Sequence, residues 1–117
     1  MEKILLSLIT VLALTSLSAQ TYFTEDFESG TDAWTFFDAD GDQAGWEATS
    51  YGTGEGVVLT SASWTSGDGP LTPDNWAVSS AIDLTSATLP TLYWSVMSQD
   101  QAWADENITV YVATSSD

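Results

Sequence analysis

From residue 20 onward, apolar and polar side chains alternate in short runs, and Gly, Asp, Ser and Pro divide one run from the next. A period of two is what a strand shows when it buries one face and wets the other. The pattern predicts strands over "TYFTEDF" (21–27), "AWTFFD" (33–38), "GWEAT" (45–49), "GVVLTSA" (56–62) and "NWAVSS" (75–80). Two more follow. "TLYWSVMS" (91–98) sets Leu92, Trp94 and Val96 against Tyr93, Ser95 and Met97, and "NITVYVAT" (107–114) sets Ile108, Val110 and Val112 against Thr109, Tyr111 and Ala113. The intervening "QDQAWADE" (99–106) reads as the loop of a long hairpin. With no helical period, no repeat and no linker-like stretch in this part, the expectation is one all-β domain, a sandwich or barrel. Trp34, Trp46, Trp76 and Trp94 fall on strand positions and are expected in its core.

The first residues have a different character. "ILLSLITVLALTSL" is an apolar run that follows Lys3 and closes on the small residues "SLSA". That is the layout of a secretory signal peptide, here residues 1–19 with the cut after Ala19. A membrane anchor is the competing reading, but the run is shorter than the roughly 20 apolar residues a span needs, and Ser and Thr interrupt it. The mature chain then starts at Gln20, and its location is secreted or at the cell surface. Its last strand is followed only by "SSD". An unprotected final strand is a poor way to end a sandwich, so the domain over 20–117 is expected to be incomplete at its C-terminus.

Charge sharpens the picture. Glu2 and Lys3 belong to the leader, so the remainder keeps 16 of the 17 acids and has no Lys, Arg or His. Such a surface repels phosphates and anionic lipid heads, which excludes nucleic acid and makes membrane insertion after leader removal a poor expectation. Acidity alone often means disorder, yet six Trp, four Tyr and four Phe supply core material. No Cys is available to staple a modest core. The same composition removes Ser-His triads, Cys nucleophiles, Lys bases and His or Cys zinc sites. A two-carboxylate glycosidase is chemically open, but no cleft acid stands out. The reading is that these residues are not an enzyme.

Acids concentrate in "DADGDQAGW" (38–46), where Asp38, Asp40 and Asp42 alternate around Gly41. Asp and Gly favour solvated turns for local reasons. Three carboxylates within five residues also repel one another, and no basic residue relieves them. A hard cation such as Ca²⁺, which takes six to eight oxygens, does. The loop is not an EF-hand, because Gln43 and Thr49 stand where that loop needs Gly and Glu, and strands rather than helices flank it. The nearby "TEDFE" (24–28) offers Glu25, Asp26 and Glu28 as further oxygen donors.

With "EDFESGTDAWTFFDADGDQAGWEA", then "GPLTPDNWAVSS" (69–80), then "TLYWSVMSQD" (91–100) and "WADENITVYVATSSD" (103–117) in this order, the chain resembles the cleaved-adhesin domains of gingipains and related haemagglutinins, within the choice-of-anchor J group. The resemblance covers roughly residues 22 to 117. It implies a jelly-roll β-sandwich akin to carbohydrate-binding modules and MAM domains, with structural Ca²⁺ near the opening motif. Carried onto this chain, the implied ligands are Glu25, Asp38, Asp40 and Asp42, with the Phe27 carbonyl as a main-chain contributor. The family's late acidic pair has no counterpart before Asp117, and "AVSSAIDL" lacks the family's usual Pro. The implied function is a calcium-stabilised module that binds host protein, matrix or glycan, with further domains in the same chain. Two alternatives stand beside it: a non-catalytic accessory module of an exported peptidase or other hydrolase, and a spacer without a ligand.

Two other features carry chemistry. Trp64 and Trp103 sit among small and polar residues near predicted loops, where an exposed indole can stack on a sugar or anchor a protein partner. In "PDNW" (73–76), Pro73 fixes a turn and Asp74 or Asn75 is expected to bond nearby backbone donors as the strand begins.

Overall fold

The computed structural model describes residues 19–51, 54 and 56–115. The proposed leader, apart from Ala19, lies outside the described residues. Among the described residues six strands form: β1 (Trp34–Asp38), β2 (Glu47–Tyr51), β3 (Gly56–Thr60), β4 (Trp64–Thr65), β5 (Gly69–Pro70) and β6 (Asn75–Ser79). All pairing is antiparallel, in three two-stranded ribbons ordered β1–β6, β2–β3 and β4–β5. The protein is all-β; the described residues form no closed barrel, consistent with a partial sandwich.

Four predicted strands form within a few residues of their expected bounds, because each has the β-branched and aromatic content that a pleated surface favours. The β4–β5 hairpin was not expected. "TSGDG" (65–69) is its turn, with Gly69 at φ 78° and the Asp68 amide donating to Thr65 Oγ1.

Three predicted strands do not pair. Over 21–27 the Glu25 carboxylate takes the Phe27 amide (2.8 Å) and the Asp26 amide (3.1 Å), and Phe27 turns to φ 59°. Amides held by a neighbouring side chain are lost to a ladder. The segment still packs by its rings: Phe27 and Phe23 lie 5.6 and 6.3 Å from Trp34, contacts of about 0.5–1.5 kcal/mol each. Residues 91–98 and 107–114 have no ladder partner among the described residues. Between them, "QAW" (101–103) forms a 3₁₀ turn capped by Asp100, whose Oδ1 accepts the Ala102 amide.

The expected core is only half-built. No described residue is fully buried. Trp34 and Trp46 are half-buried, whereas Trp76 and Trp94, expected inside, are exposed. The physical reason is geometric: each ribbon among the described residues has only two strands, too few to bury both faces of its side chains.

One pairing positions the functional loop. β1 and β6 join the first and last strands in register, with Asp38 opposite Asn75 and Phe37 opposite Trp76. The acidic loop that leaves β1 therefore begins beside the turn that enters β6.

Candidate metal centre

β1 ends on Asp38, and the chain folds back over that carboxylate. Asp38 Oδ1 accepts the Gly41 amide and Oδ2 accepts the Gln43 amide, each at 2.8 Å. Wrapping so tightly requires left-handed backbone at Gly41 (φ 77°) and Gln43 (φ 67°). Glycine takes that conformation without penalty, and Gln43 does so at some cost. Asp42 Oδ1 accepts the Ala44 amide at 2.8 Å, and Asp40 Oδ1 accepts the Asp42 amide at 3.3 Å. A long-range bond fixes Asp40 further, since its Oδ2 accepts the Asp74 amide at 2.8 Å. The Ala39 amide in turn donates to the Asp74 carbonyl at 3.0 Å.

The result brings Asp38, Asp40 and Asp42 together. One carboxylate oxygen from each lies within 4.8 Å of the others, and all three side chains are exposed. Ca–O bonds run about 2.3–2.6 Å, so oxygens on opposite sides of one Ca²⁺ are roughly 4.6–5.2 Å apart. The spacing suits one shared ion. An ionised carboxylate has about four lone-pair sites, so the amide bonds leave acceptor capacity on each. The donor set is all hard oxygen, which fits Ca²⁺ and not a soft metal. Carbonyls and water would complete the shell.

Glu25 is not among the carboxylates that cluster with these three. Glu25 is half-buried on Trp34, whose indole N–H donates to Oε2 at 2.9 Å. That bond first, then the Phe27 amide, hold the Glu25 carboxyl below the usual carboxylate range; desolvation opposes them, and the Asp26 amide adds the smallest lowering. The Phe27 carbonyl accepts the Gly30 amide at 3.1 Å. Glu28 reaches in another direction, its Oε1 accepting the Val57 amide at 2.8 Å. "TEDFE" thus bonds Trp34 and β3.

Trp64 and Trp103 are 60% and 78% exposed. Trp64 lies on β4 and Trp103 on the 3₁₀ turn, so each presents an indole to solvent.

The "PDNW" turn does more than was expected of it. Asp74 Oδ1 accepts the Trp76 indole N–H locally, at 2.8 Å. Asn75, however, acts at long range and as a donor: its Nδ2 bonds the Ala44 carbonyl at 3.1 Å and Ser61 Oγ at 3.0 Å. Its own carbonyl accepts the Trp46 indole N–H at 3.0 Å. Asn75 Oδ1 is buried and has no hydrogen-bond partner among the described residues, a cost of about 1–3 kcal/mol that the surrounding bonds must offset. Nothing in the spacing of the sequence marks a partner 31 residues away.

The family model of the Cleaved Adhesin Domain matches residues 20–117. Among curated proteins, the chain is 35% identical over 98 residues to Hemagglutinin A of Porphyromonas gingivalis, covering 77% of this chain and 4% of the relative. It is 36% identical over 101 residues to Gingipain R1 and to Lys-gingipain of the same species, covering 80% of this chain and 6% of each relative. The chain therefore spans a small fraction of the length of the curated relatives it matches. No solved structure gives a significant match.

Proposed function

The chain belongs to the Cleaved Adhesin Domain family, and on that premise we propose that it is a secreted, calcium-stabilised binding module that works as one part of a longer extracellular or cell-surface protein. The observation that carries the calcium reading is the set of three carboxylate oxygens within 4.8 Å of one another, in a stretch with no cation of its own. Ca²⁺ would be held by Asp38, Asp40 and Asp42, and when bound it would neutralise their mutual repulsion. The role of this chain's residues is to hold those oxygens in place. Asp38 does so by gripping the turn amides, and Asp40 by its bond to the Asp74 amide.

Binding of an extracellular protein or glycan is the adhesin part of the proposal. Its support is the family, together with the two exposed indoles of Trp64 and Trp103, which offer flat apolar faces for stacking. The absence of His and Cys from the sequence supports a non-catalytic role. Among the described residues, no helix is long and apolar enough to cross a membrane.

The test is thermal. A ligand that binds only the folded state stabilises it by RT ln(1 + [L]/Kd), about 2.7 kcal/mol at a hundredfold excess over Kd. Millimolar Ca²⁺ should raise the melting temperature of the chain above its value in chelator, and Asp40→Ala should remove most of the gain. Identical melting curves with Ca²⁺ and with chelator would overturn the calcium reading.

A further inference from the structure

We infer that a polar groove on the β2–β3 ribbon is a binding site for a neutral, hydroxyl-rich ligand: a glycan that carries no acid groups. The inference rests on the binding-module reading and gives it a place and a ligand class. The groove has a volume of about 470 Å³, within the roughly 300–1,000 Å³ of ligand pockets. Glu47 and Thr49 stand two apart on β2 and so share a face, and Thr60 pairs with Glu47 across the ribbon. All three line the groove, together with Ser61 just past β3. Gln99 joins them from the C-terminal region, on a turn where the Ser98 hydroxyl donates to the Asp100 carbonyl at 2.8 Å. Of the acidic loop only the exit, residues 43–45, reaches the groove, and none of the three aspartates lines it.

The lining selects the ligand by what each group can bond. Hydroxyls and carboxamides both donate and accept, and a carboxylate accepts on two oxygens. Ser61 Oγ accepts from Asn75 Nδ2 and keeps its own proton to donate. Thr60 Oγ1 reaches the Glu47 carbonyl only at 3.5 Å, too long for a strong bond. Among the described residues, the side chains of Glu47, Thr49 and Gln99 bond no other protein group. Neighbouring hydroxyls on a sugar ring supply donors and acceptors to such a set, two of them to one carboxylate. An apolar ligand would strand these groups without partners. An anionic ligand would meet Glu47 in a chain that has no Lys, Arg or His from residue 20 on. A hard cation favours several carboxylates, and Glu47 is the only one in the lining.

The test is an array of immobilised neutral, sialylated and sulfated oligosaccharides probed with the full chain, followed by calorimetry on the neutral glycan that binds best. Neutral glycans should bind and the acidic ones should not. Glu47→Ala should weaken binding about tenfold or more, and Gln99→Ala about threefold to tenfold, the effects of losing a charged and a neutral hydrogen-bond partner. Ser50→Ala, on the opposite face of β2, should bind like wild type. Amide NMR of wild type with the same glycan needs no variant, and its shifts should fall on residues 43–49, 60–62 and 99. Shifts confined to other residues, or unaltered affinity in both E47A and Q99A, would overturn the groove. If Trp64→Ala alone abolished binding, the glycan would sit on that indole, and the binding-module reading would survive the loss of the groove. Acidic glycans bound as tightly as neutral ones would refute the ligand class. A chain that takes an extracellular protein or a peptide but no glycan would also overturn the inference and leave the module reading intact. A chain that binds neither would overturn both.

Discussion

Residues 19–79 and residues 80–115 have similar hydrophobic alternation and very different structure. The first region makes three ribbons, and long-range side-chain bonds tie β1–β6 and β2–β3 to adjoining loops. The second keeps its strand-like pattern at 91–98 and 107–114 but forms no ladder, and Leu92, Tyr93, Trp94, Val110 and Val112 are exposed. Its contacts back to the first region include a Tyr111–Trp76 stack with ring centroids 5.6 Å apart and bonds from Ser63 Oγ to Glu106, from Ser86 Oγ to Tyr22 Oη at 3.4 Å and from the Ser80 amide to the Ala33 carbonyl at 2.6 Å. Alternation therefore states which face of a segment would be buried. It does not state that anything is present to bury it. What separates the two regions is the supply of partners for backbone amides.

The largest mutational effects should fall in the first region and the smallest in the second. Gly56 has φ 77°, and a Cβ there would collide with the Glu28 carboxylate that accepts the Val57 amide. Gly56→Ala should cost about 2 kcal/mol, part from the left-handed backbone and part from the displaced hydrogen bond. Gly41 has the same φ but open space around it, so Gly41→Ala should cost only the backbone part, about 1 kcal/mol. Val112 is 86% exposed, and Val112→Ala should stay within about 0.5 kcal/mol. Urea unfolding of the three variants checks the order. A Val112 effect as large as that of Gly56 would mean that the C-terminal segment is packed after all.

A smaller effect separates two carboxylates whose affinity for protons is lowered. Glu25, in the first region, is held down chiefly by the Trp34 indole nine positions away. Asp83, in the second, is held down by the amide and then the hydroxyl of Thr85, two residues on. A folded value below the unfolded one gives stability that is present above the ordinary carboxylate range and is lost as pH falls through the folded value. The Asp83 turn is local enough to persist in an unfolded chain, so its contribution largely cancels. Melting temperatures followed downward from pH 6 should thus fall less steeply in Glu25→Gln than in wild type. Asp83→Asn should follow the wild-type curve. The reverse assignment would make the local turn, not the Trp34 contact, the pH-sensitive element.

How far the sequence reads ahead of the structure follows the same division. Asp38, Asp40 and Asp42 were legible as a group because all three lie within one turn of chain around Gly41, and local spacing alone brings them together. The strands 34–38, 47–51, 56–60 and 75–79 were legible from composition and alternation. The bond from Glu25 to Trp34 was not, because a carboxylate close to an acidic loop in sequence gives no sign that an indole will take it. Asn75 was hidden for a similar reason: "PDNW" displays its turn chemistry openly, while the Ala44 and Ser61 partners come to it only through the β1–β6 pairing. Trp76 and Trp94 misled because strand position was taken to mean burial, and burial needs a second layer.

The central claim is that the Asp38–Asp42 loop, held on the β1–β6 ribbon, is a calcium site. Backbone amide NMR of the isotopically labelled chain during a Ca²⁺ titration tests it residue by residue. The account predicts saturable shifts concentrated at Gly41, Gln43 and Ala44, carried through the Asp40 and Asn75 bonds to residues 74–76, with 91–97 and 108–112 nearly unmoved. Saturation with no shift at Gly41 or Gln43, or shifts spread evenly over both regions, would contradict it.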